Sequence, residues 1–566
     1  MTDVVVDESS FVRAAGRQLL LYAFLTIVGF ALIMFLLDAA ARLAGSNTGS
    51  TNAVDVATKS ITLALAEEPP QLDSTRTTDQ ISGMVLGHIM EGLLRDDAQG
   101  NIVGGVAESW EMDGNGALFH LRSDASWSDG QPVTAQDFVF SWRTVVNPAT
   151  ASEYAFIMFF VKNGEAINQG KLPITDLGVE AIDERTLKVT FERPLTFFEK
   201  VVTFKTFLPI REDFFQQTNG RYGADADEML YNGPFRITSW VHGASLRLDK
   251  NEHYWRRNEV RLNTIHFGYI TSDANATLNF FKDGKIAQTG LSPETLSVGL
   301  EQRWNINQFQ DGGVFFIEFN HRPGRLTQNL NLRKAMQLVN DPGELVNKVT
   351  KIPGYLPGSS LFPTYLDGVK DKFRREHPAP EIVPDVAAAR HHLELARQEL
   401  KLDKWPALTL LSGDNPISNL QAEYYQAVFK DKLGLDVKID KQIFKQRLAK
   451  MTSGEFDLVM AGWGPDYEDL LTYGDLFASW NLNNRGRYAS DEYDALVRTA
   501  QNSTDQTVRV AAFARMQELL NEDVVILPNY EKGAAYVTHK QLKGVVRRVI
   551  GSDPDYTSAW VDGAAE

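Results

Sequence analysis

Phe456–Tyr467 reads FDLVMAGWGPDY, and the fold is decided there. From Phe456 to Ala461 the run is mostly apolar, as in a strand covered on both faces. Glycines and a proline then break it. Upstream, Leu408–Leu411 reads as a second buried strand, and Asn419–Leu433 reads as a helix stopped by Gly434 and followed by a strand over Leu435–Ile439. Asp385 is placed to cap a helix whose Val386, Ala389, Leu393, Ala396 and Leu400 share one face. Strands and helices alternate, so the class is α/β, with sheets covered by helices. Ligands in such sheets sit beyond the carboxyl ends of strands, which makes the loop after Ala461 the first candidate site.

The same alternation extends toward the N-terminus. Thr186–Glu192 (TLKVTFE) alternates apolar and polar residues, as a half-buried strand does. Thr134 and Asp137 have the spacing of a capping box for a helix running through Val145. The chain has 566 residues, 43% hydrophobic and 23% charged, too many for one compact core. Its net charge of -16 would repel phosphate backbones, so nucleic acid is not an expected partner. The absence of cysteine excludes disulfides, thiolate metal sites, thiol nucleophiles and a lipidated cysteine.

Leu19–Leu37 is uncharged and mostly apolar, long enough to cross a bilayer core. Arg13 and Arg17 precede it, which places residues 1–18 in the cytoplasm and the body outside. A cleaved secretory signal is the alternative, but such cores have only about 7 to 15 apolar residues. The expectation is an uncleaved inner-membrane anchor over 19–37, then a flexible linker over 38–60, of which Ala44–Ser60 (AGSNTGSTNAVDVATKS) has spacer composition.

Motifs for catalysis are missing: there is no GxSxG elbow, no HExxH and no GxxxxGK[ST] loop. His391 and His392 fall on the polar side of their helix, which reads as solvated surface. No catalytic residue, metal ligand or cofactor is expected.

Five blocks carry a family likeness. They are GVAESWEMDGNGALFHLRSDASWSDGQPVTAQDFVFSWRTVVNPATASEY (Gly105–Tyr154), PITDLGVEAIDERTLKVTF (Pro173–Phe191), YNGPFRITSWVHGASLRLDKNEHYW (Tyr231–Trp255), FNHRPGRLTQNLNLRKAMQLVNDPGELVNKV (Phe319–Val349), and FDLVMAGWGPDY itself. In this order they resemble the extracytoplasmic solute-binding proteins of oligopeptide, dipeptide and nickel ABC importers, in the oligopeptide-binding branch. The resemblance implies a two-lobed periplasmic-binding-protein-like fold with an extra inserted domain, preceded by the N-terminal hydrophobic helix. It assigns 61–90, 215–311 and 531–566 to lobe I, 91–214 to the inserted domain and 312–530 to lobe II. The crossovers would lie near Val314–Asn320 and Val525–Tyr530.

The resemblance also implies site residues. Asp466 would pair with a peptide's α-ammonium. Gly462 and Gly464 would let a guest backbone approach, and Trp463 would wall a side-chain pocket. Tyr154 and Asn279 match other contact positions, Phe444 stands where the branch often has tryptophan, and Thr78 and Gln80 would line the pocket. Met460 replaces an arginine that receives the guest's C-terminal carboxylate, and Gly413–Asn419 lacks a histidine used for that end. The expected function is a monomeric, periplasmic receptor that passes short peptides to the transmembrane subunits of an ABC permease. A receptor for a murein peptide or another solute, a membrane-bound sensor or chaperone, and a hydrolase are the alternatives.

Overall fold

The computed structural model describes residues 52–563, apart from the side chains of Phe444 and Lys445. The tail 1–18, the run Leu19–Leu37 and the linker up to residue 51 lie outside the described residues. No helix among those described is long and apolar enough to cross a membrane. Residues 53–60 do not fit the linker reading. Ala53 is buried, its carbonyl accepts from the Thr62 amide at 2.9 Å, and β1 (Val54–Asp55) pairs with β2 (Ser60–Leu65). Two apolar residues near the end of a polar stretch are enough to seat it on the sheet edge.

After β2 the chain forms α1 (Gln80–Ile89), capped by Asp79, whose carboxylate accepts from the Ser82 amide at 2.7 Å. An antiparallel sheet follows in the order β3-β4-β6-β5, built from β3 (Ala107–Asp113), β4 (Gly116–Leu121), β5 (Val179–Asp183) and β6 (Thr186–Thr190). Strand β6 stops two residues short of the expected Glu192. Helix α2 (Ala135–Val146) lies within this segment, and the Asp137 carboxylate accepts from the Thr134 amide at 2.9 Å, as the capping spacing implies. Its buried Ser141 and Trp142 donate to the carbonyls of Leu208 and Phe207. Those two bonds fix the Lys205–Leu208 segment against α2.

The chain then returns to the first sheet. Strands β7 (Phe235–Val241), β8 (Ser245–Lys250) and β9 (Thr264–Ile270) complete the order β1-β2-β9-β8-β7, with β9 parallel to β2. Helix α3 (Ala274–Lys282) and β10 (Gln288–Leu291) lead into β11 (Asn307–Phe319), the first of two long strands. The other is β15 (Ile526–Thr538).

Between them in sequence lie α4 (Leu330–Gln337), α5 (Val386–Glu399), β12 (Leu408–Gly413), α6 (Pro416–Leu433), β13 (Val437–Gln442), α7 (Phe444–Ser453) and β14 (Leu458–Trp463). The third sheet runs β10-β15-β11-β14-β12-β13, with Leu356–Pro357 also on β15. In α5 the residues Ala389, Leu393 and Ala396 are buried while Val386 and Leu400 are half-buried, so the apolar face faces inward as read. The cap is Asp385, accepting from Ala387 and Ala388. Helix α6 ends at Gly434, whose positive φ of 72° suits a residue without Cβ. It starts at Pro416 under an Asn415 cap, three residues before the expected start. His392 is not solvated with His391: it is half-buried, with Nδ1 2.8 Å from the Asn331 amide oxygen on α4.

The two long strands β11 and β15 pair along their length, but the ladder slips between Gln310 and Val314. Asp311, Gly312 and Gly313 occupy the slip, with Gly312 at φ 76°. A break of this kind concentrates bending in a few residues and leaves the ladder intact on either side.

Candidate functional site

Strand β14 begins two residues later than the apolar pattern suggests. Phe456 is fully buried, but its carbonyl is taken by the Asn320 side chain at 2.7 Å instead of by a strand. At the other end the ladder extends through Gly462 and Trp463, which pair with Phe315 and Val314. These two residues therefore belong to the strand, not to the loop that follows Ala461.

The register settles where the Gly462 backbone points. The Asn320 amide donates to the Asp457 carbonyl at 3.0 Å, so that pair is a hydrogen-bonded one. In an antiparallel ladder such pairs recur at every second residue. Gly462 and Met460 then fall on non-hydrogen-bonded positions and direct N–H and C=O away from β11. The Met460 carbonyl accepts from Arg447 Nη1 at 3.0 Å on that outer side. Strand β12 pairs with β14 only at Leu458 and Val459. Beyond them the edge at Gly462 has no neighbouring strand among the described residues.

The two glycines differ. A Cβ on Gly462 would sit 2.6 Å from the Phe315 ring, so an aromatic neighbour requires glycine there. A Cβ on Gly464 would meet nothing within 4 Å. Trp463 is half-buried against the core, and its indole N–H finds no acceptor among the described residues.

Asp466 lies three residues beyond the strand end. Its loop is held by Asp469, which receives Arg509 at 2.6 and 3.0 Å in a buried two-pronged pair. Tyr467 stacks on Phe197 with ring centroids 5.5 Å apart and packs edge-on against Phe160. The Asp466 amide donates to Thr472 Oγ1. Tyr154 donates from its hydroxyl to Asp466 Oδ1 at 3.4 Å. A loop of the α/β sheet is thus closed against the segment carrying the four-stranded sheet.

Burial pushes the Asp466 carboxyl up to about 6, opposed by the Tyr154 hydrogen bond and the charge of Lys205. Asp475 is pushed up to about 7 by burial and then by the negative charge of Asp466. Burial, with Asp466 adding, raises the Tyr154 hydroxyl as well. Lys205 and Arg193 offset these rises only in part, so a cation brought against Asp466 would favour its charged form.

Thr78 and Gln80 are both exposed and flank Asp79, the cap of α1. The Asp79 carbonyl accepts from Lys205 Nζ at 3.3 Å, which brings this turn near Asp466. Asn279 is exposed on α3 and makes no described contact with the Asp466 group. Phe444 begins α7, with its side chain outside the described residues. Sequence reasoning missed Lys205, Arg447 and Asp475. None has a motif around it, and each acquires its neighbours only through the fold. Met460, at the position where the arginine is missing, is buried beside Ser412.

A cavity of about 470 Å³ opens between the first sheet and the long strand β15, lined by residues including Thr289, Ser292, Tyr355, Ile417, Tyr536 and Arg547. The predicted site residues do not line it. Ala274 and Thr277, on the same helix as Asn279, do.

Residues 101–485 match the family described as bacterial extracellular solute-binding proteins, family 5. The chain belongs to that family. This family 5 protein is 32% identical to the dipeptide-binding protein DppE of Bacillus subtilis over 86% of its own length and 89% of the relative's. It superposes on the substrate-binding domain of an oligopeptide ABC transporter from Bacillus anthracis with a TM-score of 0.78 and 32% identity, covering 90% of this chain and 99% of the other. It also superposes on Listeria monocytogenes OppA bound to peptide, with a TM-score of 0.76 and 29% identity over 89% and 99% of the two chains. The family 5 protein therefore has the two-lobed solute-binding fold.

Proposed function

We propose that this protein is the substrate-binding component of an ABC-type peptide importer, holding short peptides by their backbone and free amino terminus between two closing lobes. The observation that carries this reading is the Asp466 carboxyl, enclosed between Tyr154 and the β14 loop and raised by burial to about 6. A half-buried carboxylate that closure would seal from water is costly until a cation meets it, and a peptide's α-ammonium is such a cation at neutral pH.

The unpaired edge at Gly462 supports backbone recognition. A guest strand laid there gains amide hydrogen bonds whatever its side chains. The relatives' names, a dipeptide-binding protein and an OppA bound to peptide, point the same way. The roles of Gly464, Trp463, Asn279, Thr78, Gln80 and Phe444 belong to this proposal, as does the division into lobe I, inserted domain and lobe II. So do a binding rather than catalytic role, a monomeric body outside the cytoplasm, and anchoring through Leu19–Leu37. The test is to purify the protein from native cells and identify the co-purified ligand by mass spectrometry. Recovery of peptides with free amino ends supports the reading; a guest without a cation overturns it.

A further inference from the structure

Among the described residues, Lys205 is the one cation whose charge bears on the Asp466 carboxyl. It sits on the segment that Ser141 and Trp142 pin to α2. Its Nζ lies 5.2 Å from the ring centres of both Tyr154 and Phe204 and donates to the Asp79 carbonyl at 3.3 Å. Its stem packs over Gly83, where a Cβ would lie 3.4 Å from Cδ and Nζ. The ammonium is therefore held in place by two aromatic faces and the Asp79 carbonyl. It makes no direct ion pair with Asp466 among the described residues, and burial lowers its proton affinity, offset by the charges of Asp79 and Asp466. Of three ammonium donors, Asp79 takes one.

Other charged groups acting on Lys205, Tyr154 and Asp475 among the described residues include Asp79, Glu153, Arg193 and Asp469, the last paired with Arg509. Arg509 is committed to Asp469, and Arg193 acts on Asp475. This leaves Lys205 as the cation next to the place where a guest's amino group would dock. In a peptide whose first residue is acidic, the side-chain carboxylate is only a few bonds from the α-nitrogen, roughly 3 to 4 Å away. The ammonium and carboxylate of such a residue match the carboxylate and ammonium of Asp466 and Lys205.

Resting on the amino-terminus reading above, we propose that Lys205 is a specificity-determining residue that favours peptides whose first side chain is a carboxylate. A neutral first side chain leaves the Lys205 donors unanswered when the lobes close over them, which disfavours it.

The test is calorimetry on the full chain with Asp-Ala-Ala and Asn-Ala-Ala, which differ by one charge, and with Ala-Ala-Ala in free and N-acetylated forms. The expected result is tighter binding of Asp-Ala-Ala than Asn-Ala-Ala, by tenfold or more. That advantage should disappear in Lys205→Met and persist in Lys205→Arg. Equal affinity for the two peptides in the unaltered protein overturns the proposal, with no variant needed. So does an advantage that survives in Lys205→Met, or a Lys205→Met variant that binds both peptides more tightly by the same factor. If free and acetylated Ala-Ala-Ala bind alike, it is the amino-terminus reading that fails.

Discussion

Tyr154 and Asp466 are 312 residues apart in sequence, and the Tyr154 hydroxyl reaches the Asp466 carboxylate at 3.4 Å. The contact joins the segment of the four-stranded sheet to the loop after β14, the two surfaces that would close on a guest. In the proposed function, Asp466 is the group that meets the guest's charge.

Asp466→Asn should weaken binding of a free tripeptide by about two orders of magnitude, since each 1.4 kcal/mol is about tenfold. The amide keeps the shape and removes the charge. Calorimetry giving the same affinity for both proteins would reject Asp466 as the amine partner.

Binding should also depend on pH. With the Asp466 carboxyl at about 6, a cationic guest must drive off a proton below that value, so affinity should fall about tenfold per pH unit below 6. Above about pH 8 the guest's own amine loses its proton, so affinity should be greatest between roughly pH 6 and 8. Asp466→Asn should remove the acid limb; a flat profile between pH 7.5 and 5 in the unaltered protein would contradict the assignment. Stability runs the other way. In the unfolded chain the carboxyl returns to its ordinary value of 3.8, so between about pH 4 and 6 the folded state holds more protons. Through this group, folding without a guest grows more favourable as pH falls across that window.

Gly462 and Gly464 should respond differently to alanine. In Gly462→Ala the new methyl would lie 2.6 Å from the Phe315 ring, and the overpacking should cost about 1–3 kcal/mol, read as a lower melting temperature. Gly464→Ala meets no neighbour, so stability should hold while peptide affinity drops if a guest backbone passes there. Unchanged affinity in Gly464→Ala would remove Gly464 from the binding surface.

Breaking the pair beneath the loop should be costly. Arg509 and Asp469 side chains are 2% and 9% exposed, and Asp469→Ala would leave a buried guanidinium without its carboxylate. Denaturant melts should show a loss of about 3–5 kcal/mol. A loss well below 1 kcal/mol would mean that the loop does not depend on this pair.

Elements with a local cause were legible in the sequence. The helix after Asp385 needed only its cap and its apolar spacing, and Gly434 marked the end of α6. The start of α6 was missed because Pro416 suits a first helical turn as well as a loop. Strand β14 was placed two residues early because Phe456 is as apolar as its neighbours, while a side chain 136 positions away, that of Asn320, takes its carbonyl. The family resemblance names Asp466 and Tyr154, and the fold brings those two side chains within 3.4 Å of each other. Lys205 was not legible, since a lysine between Phe204 and Thr206 has no local signature. Its neighbours Tyr154, Asp79 and Asp466 come from three remote parts of the chain.

The strand order of the third sheet constrains biosynthesis. Strand β15 lies between β10 and β11, yet it is among the last strands to leave the ribosome. Until residue 538 emerges, Asn307–Phe319 has one bare edge, a template for pairing with other chains. A nascent polypeptide of this kind needs shielding late in synthesis, and a message truncated near codon 500 would yield an aggregating product, not a smaller receptor.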